Sequence, residues 1–353
     1  MKNSENHQRS VKYSVIIPVY NRPEEADELL QSLTSQTLKD FEVIVVEDGS
    51  EKTCKEVVEK YSDQLDIHYF MKKNSGPGPS RNYGVERAKG EYVLILDSDC
   101  VLPEGYMAAV EQELAAEPCD AFGGPDRAHE SFTLVQKAIS YSMTSFFTTG
   151  GIRGGKTKMD KFYPRSFNMG VKRDVYQALG GFSKMRFGED IDFSYRLVES
   201  GHTTRLFSDA WVWHKRRTDF DKFFKQVFNS GIARINLSKR HPGTLKLVHL
   251  LPMVFTVGVI FLLIAAVVLR LTIFATQPNS LLWVYPLLPI ILYVLMVFVD
   301  ASVRNRSMVI GFLSVEAAFV QLFGYGFGFL KAWWQRCVRK KGEFSAYEKN
   351  FYE

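Results

Sequence analysis

Two stretches of this chain, Leu250–Leu269 and Leu281–Val299, contain no charged residue. Each is about as long as the ~20 apolar residues that cross a hydrocarbon core as a helix. Helices in the core of a globular domain are shorter and keep a polar face. The chain is therefore expected to fold in two solvents, with a charged globular part before residue 245 and a membrane part after it. A third stretch, Met308–Leu330, is long enough to cross as well but holds Glu316, Gln321 and four glycines. It reads either as a third spanning helix or as a re-entrant or interfacial one, so the membrane region, residues 247–335, has two or three spans.

Charge bears on sidedness. Arg304 and Arg306 precede the third stretch, and Lys331, Arg336, Arg339, Lys340 and Lys341 follow it. Both clusters favour the cytoplasmic face, yet a third spanning helix would put them on opposite faces. The start, MKNSENHQRSVKYS, has no apolar core of a secretory signal. The reading is a multi-pass protein of the inner (plasma) membrane with its globular part in the cytoplasm. Cys54, Cys100, Cys119 and Cys337 show no CxxC spacing, which indicates neither a zinc site nor a disulfide framework. A net charge of +5 is too small to indicate a nucleic-acid partner.

Within the globular part, runs that are apolar throughout alternate with helix-length charged segments. Tyr13–Val19, Phe41–Glu47, Ile67–Met71 and Tyr92–Leu96 read as strands. Helices are expected from near Pro23, over Glu51–Tyr61, from near Pro79 and over Pro103–Ala116. That alternation predicts an α/β fold with a mostly parallel sheet covered on both faces. Ligands of such sheets bind beyond the carboxyl ends of the strands, which singles out Pro18 to Arg22, Glu47 to Ser50, Asn74 to Arg81 and Asp97 to Asp99. Residues 120–215, with a Gly-rich loop at Gly150–Gly155, read as the acceptor half of the same domain, 11–240. Within it, 219–240 is a basic amphipathic helix that either lies on a bilayer surface or packs on the globular part.

The chemistry concentrates at strand ends. Asp97-Ser98-Asp99 follows the fourth strand, and two adjacent carboxylates repel unless a cation lies between them. Mg²⁺ or Mn²⁺ carrying a diphosphate meets that need with hard oxygen ligands; the bland reading is an acidic turn. Asp48, in Glu47-Asp48-Gly49-Ser50, is either a turn residue or a carboxylate facing a nucleobase or ribose. Gly76-Pro77-Gly78-Pro79-Ser80-Arg81 opens a helix with small residues and a guanidinium, as a diphosphate site requires. Gly188-Glu189-Asp190 starts another helix, where acids serve as caps or Asp190 serves as a general base. His214 is a metal ligand, a phosphate contact or a structural histidine.

Taken in order, SVIIPVYNR, VVEDGS, GPGPSRNYG, LILDSD, NMG at Asn168–Gly170 and GED resemble a family-two glycosyltransferase of GT-A fold, over residues 11–240. The resemblance implies inverting transfer of one sugar from a nucleotide-sugar donor. It places Pro18, Tyr20, Asn21, Asp48, Arg81, Asp97 and Ser98 around the donor, and Asp97, Asp99 and His214 around Mn²⁺ or Mg²⁺. Asp190 falls at the catalytic base, and Asn168, Gly170 and Glu189 near a loop by the donor sugar and acceptor. No QxxRW string follows the base, since Gln335-Arg336 lies in the tail with other spacing; this argues against a chain-polymerising synthase. The implied acceptor is a membrane lipid or lipid-linked molecule in cell-surface polysaccharide or glycolipid assembly. The alternatives are a polyprenyl-phosphate acceptor or a non-catalytic membrane scaffold.

Overall fold

The computed structural model describes residues 11–343, apart from 128, 130, 131, 150–161, 186, 275, 276, 278 and 279. The expected Gly150–Gly155 loop and most of the polar N-terminus lie outside the described residues. In chain order the elements begin β1 (Tyr13–Val19), α1 (Pro23–Thr34), β2 (Phe41–Asp48), α2 (Lys55–Lys60), β3 (Ile67–Lys72), α3 (Pro77–Val85) and β4 (Tyr92–Leu96). Next come β5 (Cys100–Val101), α4 (Tyr106–Ala116), β6 (Ala121–Gly123), β7 (Asp126–Arg127), α5 (Leu134–Thr144), α6 (Phe146–Thr149) and β8 (Asn168–Lys172). The globular elements close with α7 (Arg173–Ala178), α8 (Glu189–Glu199), β9 (Thr204–Leu206) and β10 (Val212–His214). The long helices α9 (Phe220–Arg240), α10 (Leu251–Phe274), α11 (Leu288–Asn305) and α12 (Met308–Trp333) follow.

These elements form two compact units. One holds β1–α4, β6, β7 and β8–β10; the other holds α5, α6 and α9–α12. The first unit is built on a seven-stranded sheet of order β3-β2-β1-β4-β8-β6-β9. β1 pairs in parallel with β2 and β4, and β2 with β3, while β8 runs antiparallel to both β4 and β6. The sequence explains the double cover. Tyr13, Val15, Ile17 and Val19 of β1 join one apolar cluster with Leu29 and Leu33 of α1 and Val110 of α4. Ile16, between them, joins the opposite cluster with Val85 of α3 and Phe193 and Leu197 of α8. Alternate residues point to opposite faces, so a strand apolar at every position needs helices on both sides. At about 1.5–3 kcal/mol per fully buried Ile or Leu, this burial dominates the sheet's stability.

Boundaries moved where polar groups claim the backbone. Glu51–Tyr61 shortens to α2, because the Cys54 N–H is given to the Glu47 carboxylate at 2.7 Å and not to a helical turn. The helix expected from Pro103 begins at Tyr106, since the Met107 N–H that would bond back to Pro103 O is given to Gln36 Oε1 at 3.0 Å. The loop placement of Asn168 and Gly170 is corrected: both lie in β8, where Asn168 faces Leu96 and Gly170 faces Leu94. Part of 120–215 also groups differently from the sequence reading. Ala138 and Ile139 of α5 pack with Phe223 and Val227 of α9 and Ala317 of α12 in the second unit.

Among the described residues, three helical segments are long and apolar enough to cross a membrane: Leu247–Ile273, Leu282–Asn305 and Met308–Val338. Met308–Leu330 is thus continuous helix, and its glycines are contact points. A side chain at Gly324 would strike Val227, and one at Gly328 would strike the Phe228 carbonyl. Small residues let helices approach closely where lipid gives no hydrophobic drive. The apolar stripe of α9 is accordingly laid against α12.

Candidate active site

The expected site residues gather at the carboxyl ends of β1, β2 and β4. Pro18 and Tyr20 are half-buried at the end of β1. Asn21 follows in a left-handed conformation (φ 53°), which asparagine tolerates better than most residues. Its Oδ1 accepts the N–H groups of Glu51 (2.8 Å) and Lys52 (3.1 Å), and its own N–H donates to Ser50 Oγ (2.8 Å). Asn21 therefore ties the loop after β1 to the loop after β2. Asp48 is buried and accepts from Ser75 N (2.9 Å), Gly76 N (2.8 Å) and Lys72 Nζ. Those bonds hold the loop that leads into α3. Gly49 beside it takes φ +73°, and a Cβ there would lie 2.6 Å from Asn74 N, so only glycine fits the turn.

Arg81, on the first turns of α3, is 4% exposed and clamps two carboxylates. It donates from NH2 to Asp97 Oδ1 at 2.6 Å and from NH1 to Glu189 Oε1 at 3.1 Å. The end of β4 is thereby joined to the start of α8. Burial raises the Glu189 pKa, and the pull of Arg81 only partly offsets this. Burial also acts to raise Asp190, but the charge and hydrogen bond of Arg165, with Arg81 behind them, hold it below the usual carboxylate range. Arg165 Nε donates to Asp190 Oδ2 at 2.7 Å. Arg165 drew no attention in the sequence; its only signal there is a cation three residues before Asn168, outside any periodic pattern.

The two acids of Asp97-Ser98-Asp99 part company. Asp97 turns to Arg81, whereas buried Asp99 meets His214 Nε2 at 3.1 Å and Arg22 NH1 at 3.1 Å. A second, three-stranded sheet of order β5-β10-β7 brings His214 there, with His214 opposite Cys100 in the register. Octahedral bonds of about 2.1 Å place neighbouring ligand atoms about 3 Å apart, so Asp99 and His214 fit a shared Mn²⁺ or Mg²⁺. Cys100 completes the cluster by distance. Burial, then Asp99 and Asp97, push its thiol well above the ordinary value, and a neutral soft thiol does not suit a hard cation.

Asn168 and Gly170 serve packing. Asn168 is 1% exposed, accepts from Tyr106 OH at 2.7 Å and donates to Ala210 O at 2.8 Å. A side chain at Gly170 would enter the ring of Phe122. A further acid–histidine group, Glu42, Asp66 and His68, lies at the amino ends of β2 and β3, away from this site. There Glu42 Oε1 accepts from Ser14 Oγ and Lys89 N, both at 2.6 Å.

Residues 14–180 match the model of glycosyl transferase family 2. The chain carries a glycosyl transferase family 2 domain. It is 27% identical over 230 residues to glycosyltransferase AglE of Haloferax volcanii, spanning 64% of this chain and 73% of that protein. It is 35% identical over 115 residues to the GalNAc(5)-diNAcBac-PP-undecaprenol beta-1,3-glucosyltransferase of Campylobacter jejuni, spanning 32% of this chain and 37% of that one. Other curated glycosyltransferases match about a quarter of this chain, which spans only 13% to 16% of their length. The mannosyltransferase PcManGT from Pyrobaculum calidifontis, solved with GDP-Man and Mn²⁺, superposes with a TM-score of 0.63 over 92% of this chain and 88% of that one, at 16% identity. The α/β sheet is therefore of the GT-A type, followed by C-terminal helices that could span a membrane.

Proposed function

We propose that this chain is an inverting, metal-dependent glycosyltransferase that moves one sugar from a nucleotide-sugar donor to a membrane lipid-linked acceptor, in cell-surface polysaccharide or glycolipid assembly. The observation that carries the reading is three sets of charge contacts, set side by side by the closely spaced residues Asp97 and Asp99 and by Glu189 and Asp190. They run from His214 to Asp99, from Asp97 through Arg81 to Glu189, and from Asp190 to Arg165.

Mn²⁺ or Mg²⁺ would be held by Asp99 and His214 with Asp97 beside them, and would neutralise charge on the departing nucleoside diphosphate. PcManGT binds Mn²⁺ with GDP-Man, which supports that role. Pro18, Tyr20, Asn21, Asp48 and Ser98 line the donor side, where Asn21 and Asp48 shape the loops that meet the nucleotide. Arg81 keeps Asp97 near the donor and Glu189 at the mouth of α8. Asp190 takes the proton of the acceptor hydroxyl as that oxygen attacks the anomeric carbon from the face opposite the leaving phosphate, which inverts the centre. Asn168 and Gly170 support the wall near the donor sugar from within β8.

The domain limits that go with this reading are 11–240 for the catalytic part and 247–335 for the membrane part. The protein sits in the inner membrane, multi-pass, with the catalytic part cytoplasmic. The undecaprenol-linked acceptor in the name of the Campylobacter jejuni relative and the apolar helices support a lipid-linked acceptor. Release of nucleoside diphosphate from a panel of nucleotide sugars, with lipid extract and Mn²⁺ or EDTA, tests the whole. Release that needs one donor, lipid and metal bears it out; release in EDTA, or without lipid, overturns it.

One observation favours a second reading. A base paired to an arginine is a weak base, and the Arg165–Asp190 contact is such a pair. A polyprenyl-phosphate acceptor is already an anion, would find a partner in Arg165 and needs no proton removed. Appreciable transfer by Asp190→Asn would select it over the hydroxyl acceptor.

A further inference from the structure

The three apolar helices meet in a way that three parallel spans cannot. α10 and α11 form an antiparallel hairpin: the Phe255 and Tyr293 rings meet at a tilt with centroids 5.0 Å apart, and Arg270 lies 5.9 Å from the Trp283 ring just before α11. Against α11, α12 runs backwards. A side chain at Gly311 would meet Ser302 and, at 3.0 Å, Phe298 O, whereas Phe319 meets Tyr293 at 5.8 Å. Against α10, α12 also runs backwards. Thr256 Oγ1 donates to Leu322 O at 3.2 Å, and a Cβ at Gly326 would lie 2.8 Å from Pro252 O. One helix runs backwards along both members of an antiparallel pair only by crossing them.

The crossing falls at one end of the hairpin. Its contacts involve the first turns of α10 (Pro252 to Thr256) and α11 from Tyr293 on to Ser302. At that level α11 is polar, since Asp300 accepts from Tyr141 OH at 2.7 Å and from Arg304 Nε at 2.9 Å. The far half of α10 faces outward, with Ile264 58%, Val267 58% and Leu271 70% exposed, as lipid contact requires. On its other side α12 carries α9. Gly231 of α9 sits against Tyr325 and Phe329, and Phe228 sits against Gly328. α9 bears Lys222, Lys225, Arg234 and Lys239, charges that hydrocarbon excludes.

We infer that only α10 and α11 cross the bilayer, and that α12 lies in the plane of its interface at the end where the chain enters α10, between the hairpin and α9. The inference rests on the reading that α10 and α11 span a membrane. It fixes the chemistry each segment meets. Exposed Met308, Val309 and Phe312 reach the acyl boundary. Glu316 stays out of the hydrocarbon centre. Arg304 and Arg306 before α12, Lys331 in its last turn, and Arg336, Arg339, Lys340 and Lys341 after it all lie at one face, where anionic headgroups meet them. The conflict over the two basic clusters disappears, because a helix that does not cross cannot separate them.

The test is sidedness of single cysteines in the full chain with Cys337→Ser, using a membrane-impermeant maleimide on spheroplasts of a bacterial expression host before and after permeabilisation. Lys239→Cys reports the end of α9, Gln277→Cys the α10–α11 connection and Lys341→Cys the tail; all three positions are exposed. The expected result is that Lys239→Cys and Lys341→Cys share one side and Gln277→Cys takes the other. Lys341→Cys sharing the side of Gln277→Cys would show that α12 spans and overturn the in-plane placement. Gln277→Cys sharing the side of Lys239→Cys would show that the hairpin does not cross, so that the membrane-spanning reading itself fails.

Discussion

Arg165→Met probes the proposed base, Asp190. The substitution removes a 2.7 Å charge-assisted hydrogen bond to Asp190 while keeping an apolar stem. Such a bond is worth about 1.5–3 kcal/mol. Because the Arg165 side chain is 40% exposed, solvent screening reduces this to about 1–1.5 kcal/mol. At about 1.4 kcal/mol per pKa unit, Asp190 should rise by roughly one unit. The sign follows from the direction of the shift. With its pKa depressed, wild-type Asp190 stays ionised below the ordinary carboxylate range, and the stability and basicity it lends are lost only as pH falls through that depressed value. Without Arg165, burial is opposed less and protonation comes earlier. The acid limb of kcat/KM, measured by nucleoside diphosphate release with Mn²⁺ and a lipid extract, should move about one pH unit upward. An unmoved limb with a raised acceptor KM would assign Arg165 to an anionic acceptor. An unmoved limb with an unchanged acceptor KM would refute the reasoning.

His214→Ala should weaken Mn²⁺ binding by about 10-fold or more, read from the free-ion electron paramagnetic resonance signal on titration. An unchanged affinity would remove His214 from the metal site. Asn168→Leu leaves Tyr106 OH and Ala210 O without their partner and should destabilise the fold by about 1–3 kcal/mol, seen as a lower urea midpoint. A normal midpoint with a raised donor KM would instead place Asn168 at the donor. Gly328→Leu drives a side chain into the backbone of α9 at Phe228 and should cost about 1–3 kcal/mol or more. Thermal unfolding in detergent measures this, and an unchanged midpoint would refute the α9–α12 packing.

Much of the first unit can be read from the sequence because its central strands are mostly apolar on both faces. Tyr13–Val19 and Tyr92–Leu96 match their predicted limits, and Phe41–Glu47 and Ile67–Met71 each gain one polar residue, Asp48 and Lys72. Those two then pair with each other, a contact between strand ends that no local pattern encodes. Short strands are less legible. Asn168–Lys172 carries five residues and one glycine, too few for periodicity to declare itself. The placing of Asp97 and Asp99 follows from their strand-end position, whereas Asp190 and His214 are legible only from residue type and the family resemblance. The ion-pair partner Arg165 is not legible at all, because a lone arginine in a loop looks the same whether it meets solvent or a carboxylate. The stripe of α9 is visible at helical spacing, but its partner is not; only coordinates show that the glycines of α12 meet it.

The two-residue strand β5 has a consequence for how the enzyme matures. Asp99 acquires His214 only when Cys100 pairs with β10, and these segments lie far apart in the chain. Closing so long a loop is slow relative to the local βαβ pairings around it. The emerging polypeptide can therefore build its first four strands while Asp99 and His214 are still apart. On the proposed function, the pair that would seat the ion forms only after the chain through β10 has left the ribosome, so an unfinished chain would lack it.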